Sequence, residues 1–243
     1  MDSDTALGGW SARFPDTRHS AVVRMQSCEP GVRTAGFSDV IAAYWKPVYK
    51  YLRLKWKLSN EDAKDLTQAF FARAIEKEFF DQYDAALGTF RTYLRTCLDG
   101  FAANHHHAGE RLKRGGGIEL VSLDFTEAEK ELVLAGGEES VETTFDREWV
   151  RNLFGLAVEE LRSRAVQNNR AEAFRAFERY DLQGDVTYAA LGAQLGVTPA
   201  TVTNYLAAMR RDFRRILLEK LKALTATERE FRSEARHLFG IEV

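Results

Sequence analysis

The last quarter of the chain carries the residue pattern of two short helices joined by a sharp turn. The segment Tyr188 to Leu195 has apolar residues at helical spacing, and Gly196 follows it. Glycine adopts the left-handed backbone of a sharp turn without steric cost. Thr198 and Pro199 then suit the cap and first turn of a second helix. Helix, glycine turn and helix form the helix-turn-helix pattern, whose second helix enters the major groove.

The second helix of this unit separates an apolar face from a polar one. Val202, Leu206 and Met209 are spaced to face inward, and residues 198–222 carry six bases and two acids, a net charge of +4 that can neutralise phosphates. The candidate DNA contacts are Pro199, Ala200, Thr201, Thr203, Asn204, Arg210 and Arg211. An ordinary pair of packed helices with a solvated basic face would have the same composition, so that alternative stays open.

Two further stretches combine bases with aromatic residues. Residues 44–57 contain five bases and no acid. A second set of bases interleaves with aromatic residues: Arg91, Arg95, Arg111, Lys113 and Arg114 among Phe90, Tyr93 and Phe101. Basic groups bind a nucleic-acid backbone and aromatic rings stack on unpaired bases. The alternative, favoured for Phe90 and Phe101, is that the rings belong to the core and the bases are solvated.

The sequence lacks the usual signatures of catalysis or metal binding. There is no Gly-rich phosphate loop, nucleophile elbow or carboxylate pair in a cleft-forming pattern. Cys28 and Cys97 have no metal-type spacing, and consecutive histidines at 105–107 do not share one helix face. We therefore expect no enzyme activity, cofactor or metal. The two cysteines fit a reducing cytoplasm and no signal peptide or membrane span is evident, so a cytoplasmic protein is expected. Because the net charge is only −2, any DNA contact must come from local basic patches or need a partner.

The pattern of helical spacing and breaks predicts an all-α fold of two small domains. Residues 1–36 are expected to be a loosely ordered lead-in, and residues 37–115 a helical domain whose first helix is capped by Ser38. Residues 116–146 are expected to be a linker, because residues 119–148 hold ten acids and two bases, a net charge of −8. Residues 147–224 form the second domain and 225–243 a charged tail.

With these motifs in order, the chain resembles the extracytoplasmic-function sigma factors of the sigma-70 family. The segment DAKDLTQAFF, Asp62 to Phe71, is similar to the family's second conserved region, and residues 88–117 to the part of that region that opens the −10 promoter element. The helix-turn-helix is similar to the fourth region, which reads the −35 element. The chain is most similar to a subgroup with an N-terminal F-P-x-T-R and a central D-L-T-Q-x-F-F, which are matched here by Phe14 to Arg18 and by Asp65 to Phe71. The matches cover roughly residues 14–115 and 147–222.

This resemblance implies a function and assigns residues to it. The chain would dock on core RNA polymerase and direct it to promoter DNA. Docking residues would be Glu61, Asp62, Asp65, Leu66, Gln68 and Phe71. Near the melted strand of the −10 element would lie Arg91, Tyr93, Arg95 and Asn104, and its duplex phosphates would meet Arg111, Lys113 and Arg114. The −35 element would be read by the seven candidate contacts of the helix-turn-helix: Pro199, Ala200, Thr201, Thr203, Asn204, Arg210 and Arg211. The acidic linker would thread the polymerase channels.

Departures from the family pattern raise alternatives. Lys64 stands where the family has an acid, and the neighbouring Thr67 is a hypothetical phosphorylation site for a Ser/Thr kinase, since phosphate would add negative charge. The alternative is that Thr67 is a plain helical surface residue. A kinase or an anti-sigma protein is thus a candidate partner. A stand-alone helix-turn-helix regulator is the rival function, although it leaves the Asp62 to Phe71 motif unexplained, and an interaction adaptor leaves the basic faces unexplained.

Overall fold

The computed structural model describes residues 20–77, 79–108, 123–134, 140–184 and 186–242, and these ranges contain ten α-helices and no strand. The helices are α1 Ala21–Met25, α2 Pro30–Lys55, α3 Asn60–Lys77, α4 Phe90–Ala108, α5 Phe125–Leu134, α6 Val141–Gln167, α7 Ala171–Phe177, α8 Tyr188–Leu195, α9 Pro199–Ala223 and α10 Glu228–Phe239. A 3₁₀ turn, Phe79–Gln82, follows α3, and a π-helical turn, Glu178–Gln183, follows α7. The predicted all-α fold is confirmed for this part of the chain. None of these helices is long and apolar enough to cross a membrane.

Helix α2 lies at the centre of the first half of the fold. It packs against α1, α3, α4, α5 and α6. The ring of Tyr44 meets Phe90 of α4 edge-on and Trp149 of α6, with ring centroids 5.7 Å apart in both cases. All three side chains are almost fully buried, so aromatic burial from three helices provides much of the hydrophobic stabilisation here.

The amino-terminal end of α2 differs from the prediction. A loosely ordered lead-in to residue 36 is wrong for residues 20–36, which form α1 and the first turns of α2; residues 1–19 lie outside the described ranges. Pro30 begins α2, where a missing N–H costs nothing. Gly36 permits the close approach of α1, since a Cβ there would lie 2.6 Å from the Met25 amide nitrogen. Ser38 is therefore inside the helix and donates to the Thr34 carbonyl instead of capping.

The expected acidic linker is also mostly helical where it is described. Within residues 116–146, α5 covers 125–134 and α6 begins at Val141, crossing the expected boundary at residue 146. Ser140 caps α6 by accepting from the Thr143 amide at 3.1 Å. Phe125 explains the difference: its buried ring lies 5.3 Å from Trp45 and 5.2 Å from Tyr49, centroid to centroid, and ties the acidic segment to α2.

Helix α6 connects the two halves of the molecule. Near its middle, the Asn152 side chain donates to the carbonyls of Ala42 and Ala43 on α2 at 2.9 Å. Near its end, Arg164 forms an ion pair with Glu219 of α9 at 3.1 Å. The buried apolar side chains of the described residues form one continuous cluster. Helix α10, in the expected tail, contributes Phe231 and Ala235 to this cluster.

Candidate nucleic-acid interface

Helices α8 and α9 form the predicted helix-turn-helix element. Thr187 caps α8 and Thr198 caps α9. Each threonine hydroxyl accepts a hydrogen bond of 3.2 Å from the backbone N–H of the residue three positions later in the chain. Between them Gly196 has φ +68°, the left-handed conformation expected of the turn. Val202, Leu206 and Met209 are buried, as the spacing of apolar residues predicted. Local signals were sufficient here because caps and turns are determined by adjacent residues.

Gly192 sets how closely α8 approaches the turn. A Cβ at this position would lie 2.8 Å from the Val197 carbonyl oxygen, which is backbone and cannot easily move aside. We predict that Gly192→Ala destabilises the chain by about 1 kcal/mol or more, because overpacking exceeds the gain in helix propensity. Thermal and urea unfolding would measure the change.

A matched variant isolates the close approach from helix propensity. Gly155 lies inside α6, and a Cβ there would meet no atom within 4 Å. Gly155→Ala should therefore stabilise the chain by about 0.5–1 kcal/mol. If both variants gained stability equally, the packing role given to Gly192 would be wrong.

The first turns of α9 present a polar surface to solvent. Pro199, Ala200, Thr203 and Asn204 are exposed, and Asn204 makes no side-chain hydrogen bond to a described residue. Thr201 is half-buried and pairs its hydroxyl with that of Thr198 at 2.9 Å. The start of a helix carries free N–H groups and partial positive charge, which suit a phosphate. An asparagine amide two turns from such an end is well suited to a base edge.

The basic residues that follow differ in availability. Arg210 is held by Asp181, with three donor–acceptor distances of 2.7, 3.0 and 3.3 Å, so it is engaged within the chain. Arg211 and Arg214 are exposed on α9. Arg215 pairs with Asp212 and Glu219. Arg211 and Arg214 are therefore the cations of α9 best placed to meet a phosphate backbone.

Helix α3 divides the expected docking residues into two groups. Glu61, Asp62, Asp65 and Gln68 are exposed and line one edge of the helix. Leu66 and Phe71, at 4% and 0% exposure, belong to the core and are corrections to the expected contact set. Their spacing places them on the buried face of α3, with Phe70 packing its ring edge-on against Phe71.

Thr67 lies on the same buried face of α3. It is fully buried, and its hydroxyl donates to the Ala63 carbonyl at 2.7 Å. The interpretation of Thr67 as a surface residue is therefore wrong. A kinase could reach this hydroxyl only if α3 first separated from its neighbours, so the phosphorylation hypothesis finds no support in this conformation.

The residues expected to meet the −10 element are largely engaged within the chain. Arg91 is only 6% exposed and pairs with Asp146 and Glu234, which corrects its placement at a free DNA-binding face. Tyr93 is half-buried and donates to the Phe79 carbonyl at 2.7 Å. Arg95 lies 3.8 Å from Asp146, whereas Asn104 is exposed. Arg111, Lys113 and Arg114 lie outside the described residues.

Three of the five bases in residues 44–57 are covered by acidic residues of α5 and α6, whereas Lys55 and Lys57 are exposed. Lys50 is 1% exposed and bonds to Glu131 at 2.6 Å and Glu148 at 2.5 Å. Arg53 pairs with Glu129 at 2.6 Å, and Lys46 with Glu131 at 3.3 Å. These bases are therefore neutralised within the chain and do not form a free nucleic-acid face in this conformation.

The pKa values of Glu129 and Glu131 are both lowered, which agrees with this pairing. The hydrogen bond from Arg53 is the main reason that the pKa of Glu129 is lowered. Burial opposes ionisation of Glu131, yet bonding to Lys50 and Lys46 still lowers its pKa. Both carboxylates thus remain charged at neutral pH, where they hold α5 against α2.

Sequence reasoning missed the acidic partners of the two basic stretches. Glu129, Glu131, Glu148 and Glu234 were not predicted as site residues, although a segment of charge −8 and a stretch of five bases were both evident in the sequence. The opposite charges of these two segments were the signal that could have predicted their pairing. Within the described ranges, no three His, Cys, Asp or Glu side chains are arranged to hold a metal ion.

Comparison with known proteins adds no relative to this description: no family model, no curated protein and no solved structure matches the chain.

Proposed function

We propose that the chain is a sigma factor that binds core RNA polymerase through α3 and recognises promoter DNA through α8 and α9. The observation that carries the proposal is the helix-turn-helix element, whose second helix exposes Thr203, Asn204 and Arg211 while burying its apolar face. Exposed polar groups on such a helix read base edges and phosphates. The proposal assigns no catalytic step to the chain, which would act in the cytoplasm, where RNA polymerase is found.

The exposed acidic edge of α3 supports the polymerase part of the proposal. Asp65 and Gln68 face solvent and make no hydrogen bond to a described residue, so both are available to a partner. Glu61 is likewise exposed, although Lys64 pairs with it at 2.9 Å. An acidic edge steers a basic partner surface toward the correct orientation. A helix-turn-helix regulator that acts without polymerase would leave the acidic edge of α3 unexplained.

Transcription from a pool of genomic promoter fragments, using core RNA polymerase and the full chain, tests the proposal. Promoter-specific run-off transcripts are expected, and Asp65→Lys should reduce them by about tenfold or more, because like charges at an interface cost several kcal/mol. Glu76→Lys provides the matched control, since Glu76 is an exposed acid on the same helix that lies about three turns beyond Asp65, past the proposed docking residues. Its transcripts should equal those of the parent.

Two other outcomes would contradict the proposal. Absence of transcripts together with sequence-specific duplex binding by the chain alone would favour a stand-alone helix-turn-helix regulator. Equal loss of transcripts in the Asp65 and Glu76 variants would indicate a general charge effect and not a docking edge.

A further inference from the structure

Helix α10 carries two buried carboxylates on the face that it packs against the rest of the chain. Glu230 and Glu234 are 6% and 4% exposed and lie beside the buried Phe231 and Ala235. The bases Arg229, Arg232 and Arg236 face solvent. Buried acids are costly unless they are paired, whereas the exposed side of a helix accepts charge freely. The buried face of α10 therefore needs hydrogen-bond donors or positive charges on the residues that it packs against.

Glu230 binds the amino-terminal end of α4. One of its oxygens accepts the Phe90 amide at 2.7 Å, and the other accepts the Ala226 amide, also at 2.7 Å. Phe90 is the first residue of α4, whose leading N–H groups have no partner within the helix. Burial raises the pKa of Glu230 despite these two bonds. The carboxylate thus occupies a position where helix ends bind anions.

Glu234 binds the neighbouring guanidinium. The ion pair between Glu234 and Arg91 measures 3.1 Å, and Arg91 also pairs with Asp146 and stacks over the Trp149 ring at 5.4 Å. Even so, the Arg91 Nε is buried without a hydrogen-bond acceptor among the described residues. A phosphate offers more acceptor oxygens than one carboxylate and matches the planar guanidinium equally well.

We propose that α10 is an autoinhibitory latch in which Glu230 and Glu234 occupy the places of nucleic-acid phosphates at the start of α4. Displacement of α10 exposes Arg91 and the Phe90 amide, which then bind the backbone of DNA. This inference rests on the proposed function, because it identifies what keeps the expected −10 face closed in the free chain. The ligand of the site is a nucleic-acid phosphate backbone, irrespective of base sequence.

The full-length double variant Glu230→Gln/Glu234→Gln tests the latch. Its affinity for a fluorescein-labelled single-stranded DNA of mixed sequence, measured by anisotropy, should rise about tenfold, because the freed Arg91 guanidinium and Phe90 amide both gain bonds to phosphate oxygens, which are charged acceptors. Glu228→Gln/Glu242→Gln removes the same charge at more exposed positions of the same segment and controls for net charge. The control should bind at most about twofold more tightly than the parent. Adding Arg91→Met to the latch variant should abolish its gain.

Hydrogen exchange on the unmodified chain supplies a measurement that does not depend on a variant folding. Saturating single-stranded DNA should raise amide exchange across residues 228–239 while leaving α9 protected. DNA binding without this increase would overturn the latch, as would a folded latch variant that binds DNA no better than its charge control.

The two proposals fail in different ways. If the parent directs transcription but the latch variant gains no DNA affinity, the latch is wrong and the sigma assignment stands. If the latch variant gains affinity but neither chain directs transcription with core polymerase, the latch stands and the sigma assignment is wrong.

Discussion

Lys50→Met should destabilise the chain by about 3–5 kcal/mol, the range observed when one partner of a buried ion pair is removed. Lys50 is 1% exposed and bonds to Glu131 and Glu148, and the Glu148 side chain is itself only 3% exposed. Methionine fills a similar volume, so the loss would come mainly from leaving Glu148 buried beside fewer cations. Urea unfolding followed by circular dichroism would measure the change in the free energy of unfolding.

An exposed ion pair provides the contrast. Arg175 and Glu172 lie one turn apart on α7, with side chains 60% and 53% exposed. Arg175→Ala should change stability by less than about 0.5 kcal/mol, because such pairs contribute little in water. If Lys50→Met were equally mild, the acidic segment would not be bound to α2 in solution as it is here.

Lys50 also shows where sequence reasoning reached its limit. The stretch containing it was interpreted as a nucleic-acid face, because five bases without an acid have no partner nearby in sequence. Its partner Glu148 is 98 residues away, and the partner of Arg91 is 143 residues away. Charge pairing over such separations depends on how helices pack, which local patterns do not determine.

Elements defined by adjacent residues were predicted more successfully. The cap Thr198, the turn at Gly196 and the buried face of α9 followed from short-range rules, whereas Thr187 was not predicted as the cap of α8. The start of α2 was missed because Pro30, together with Pro15 and a glycine pair at residues 8–9, was taken as a sign of a loose segment. Here tertiary contact outweighs local preference, since Gly36 allows α1 to bury Val22 and Met25 against α2.

The family resemblance named the acids of α3 as docking residues, but it did not tell which of the named docking residues are exposed and which are buried. Leu66 and Phe71 were included with Asp65 as one docking surface, whereas helical geometry places them on the opposite, core-facing side. A motif specifies residue types in order, while the periodicity of 3.6 residues decides which of them a partner can touch. The exposed subset is therefore the set on which docking variants should be made.

Replacing Asn204 and Arg211 should separate base reading from phosphate binding on α9. On the promoter that transcribes best with core polymerase, Asn204→Ala should weaken binding by about 1–3 kcal/mol and reduce the preference for one base pair. Asn204 is exposed and its amide can bond an adenine edge in two places. Arg211→Ala should instead weaken binding to all sequences alike, because an exposed guanidinium contacts phosphate regardless of base.

The salt dependence of binding distinguishes the two roles. Loss of one phosphate contact should reduce the slope of log affinity against log salt concentration by about 1, so Arg211→Ala should show that change and Asn204→Ala should not. Lys130→Ala controls for net charge, since Lys130 is 68% exposed on α5 and has no part in the proposed interface. Equal slopes for Arg211→Ala, Lys130→Ala and the parent would exclude a phosphate contact by Arg211. An unchanged base preference in Asn204→Ala would move the sequence-reading role to other exposed residues of α9.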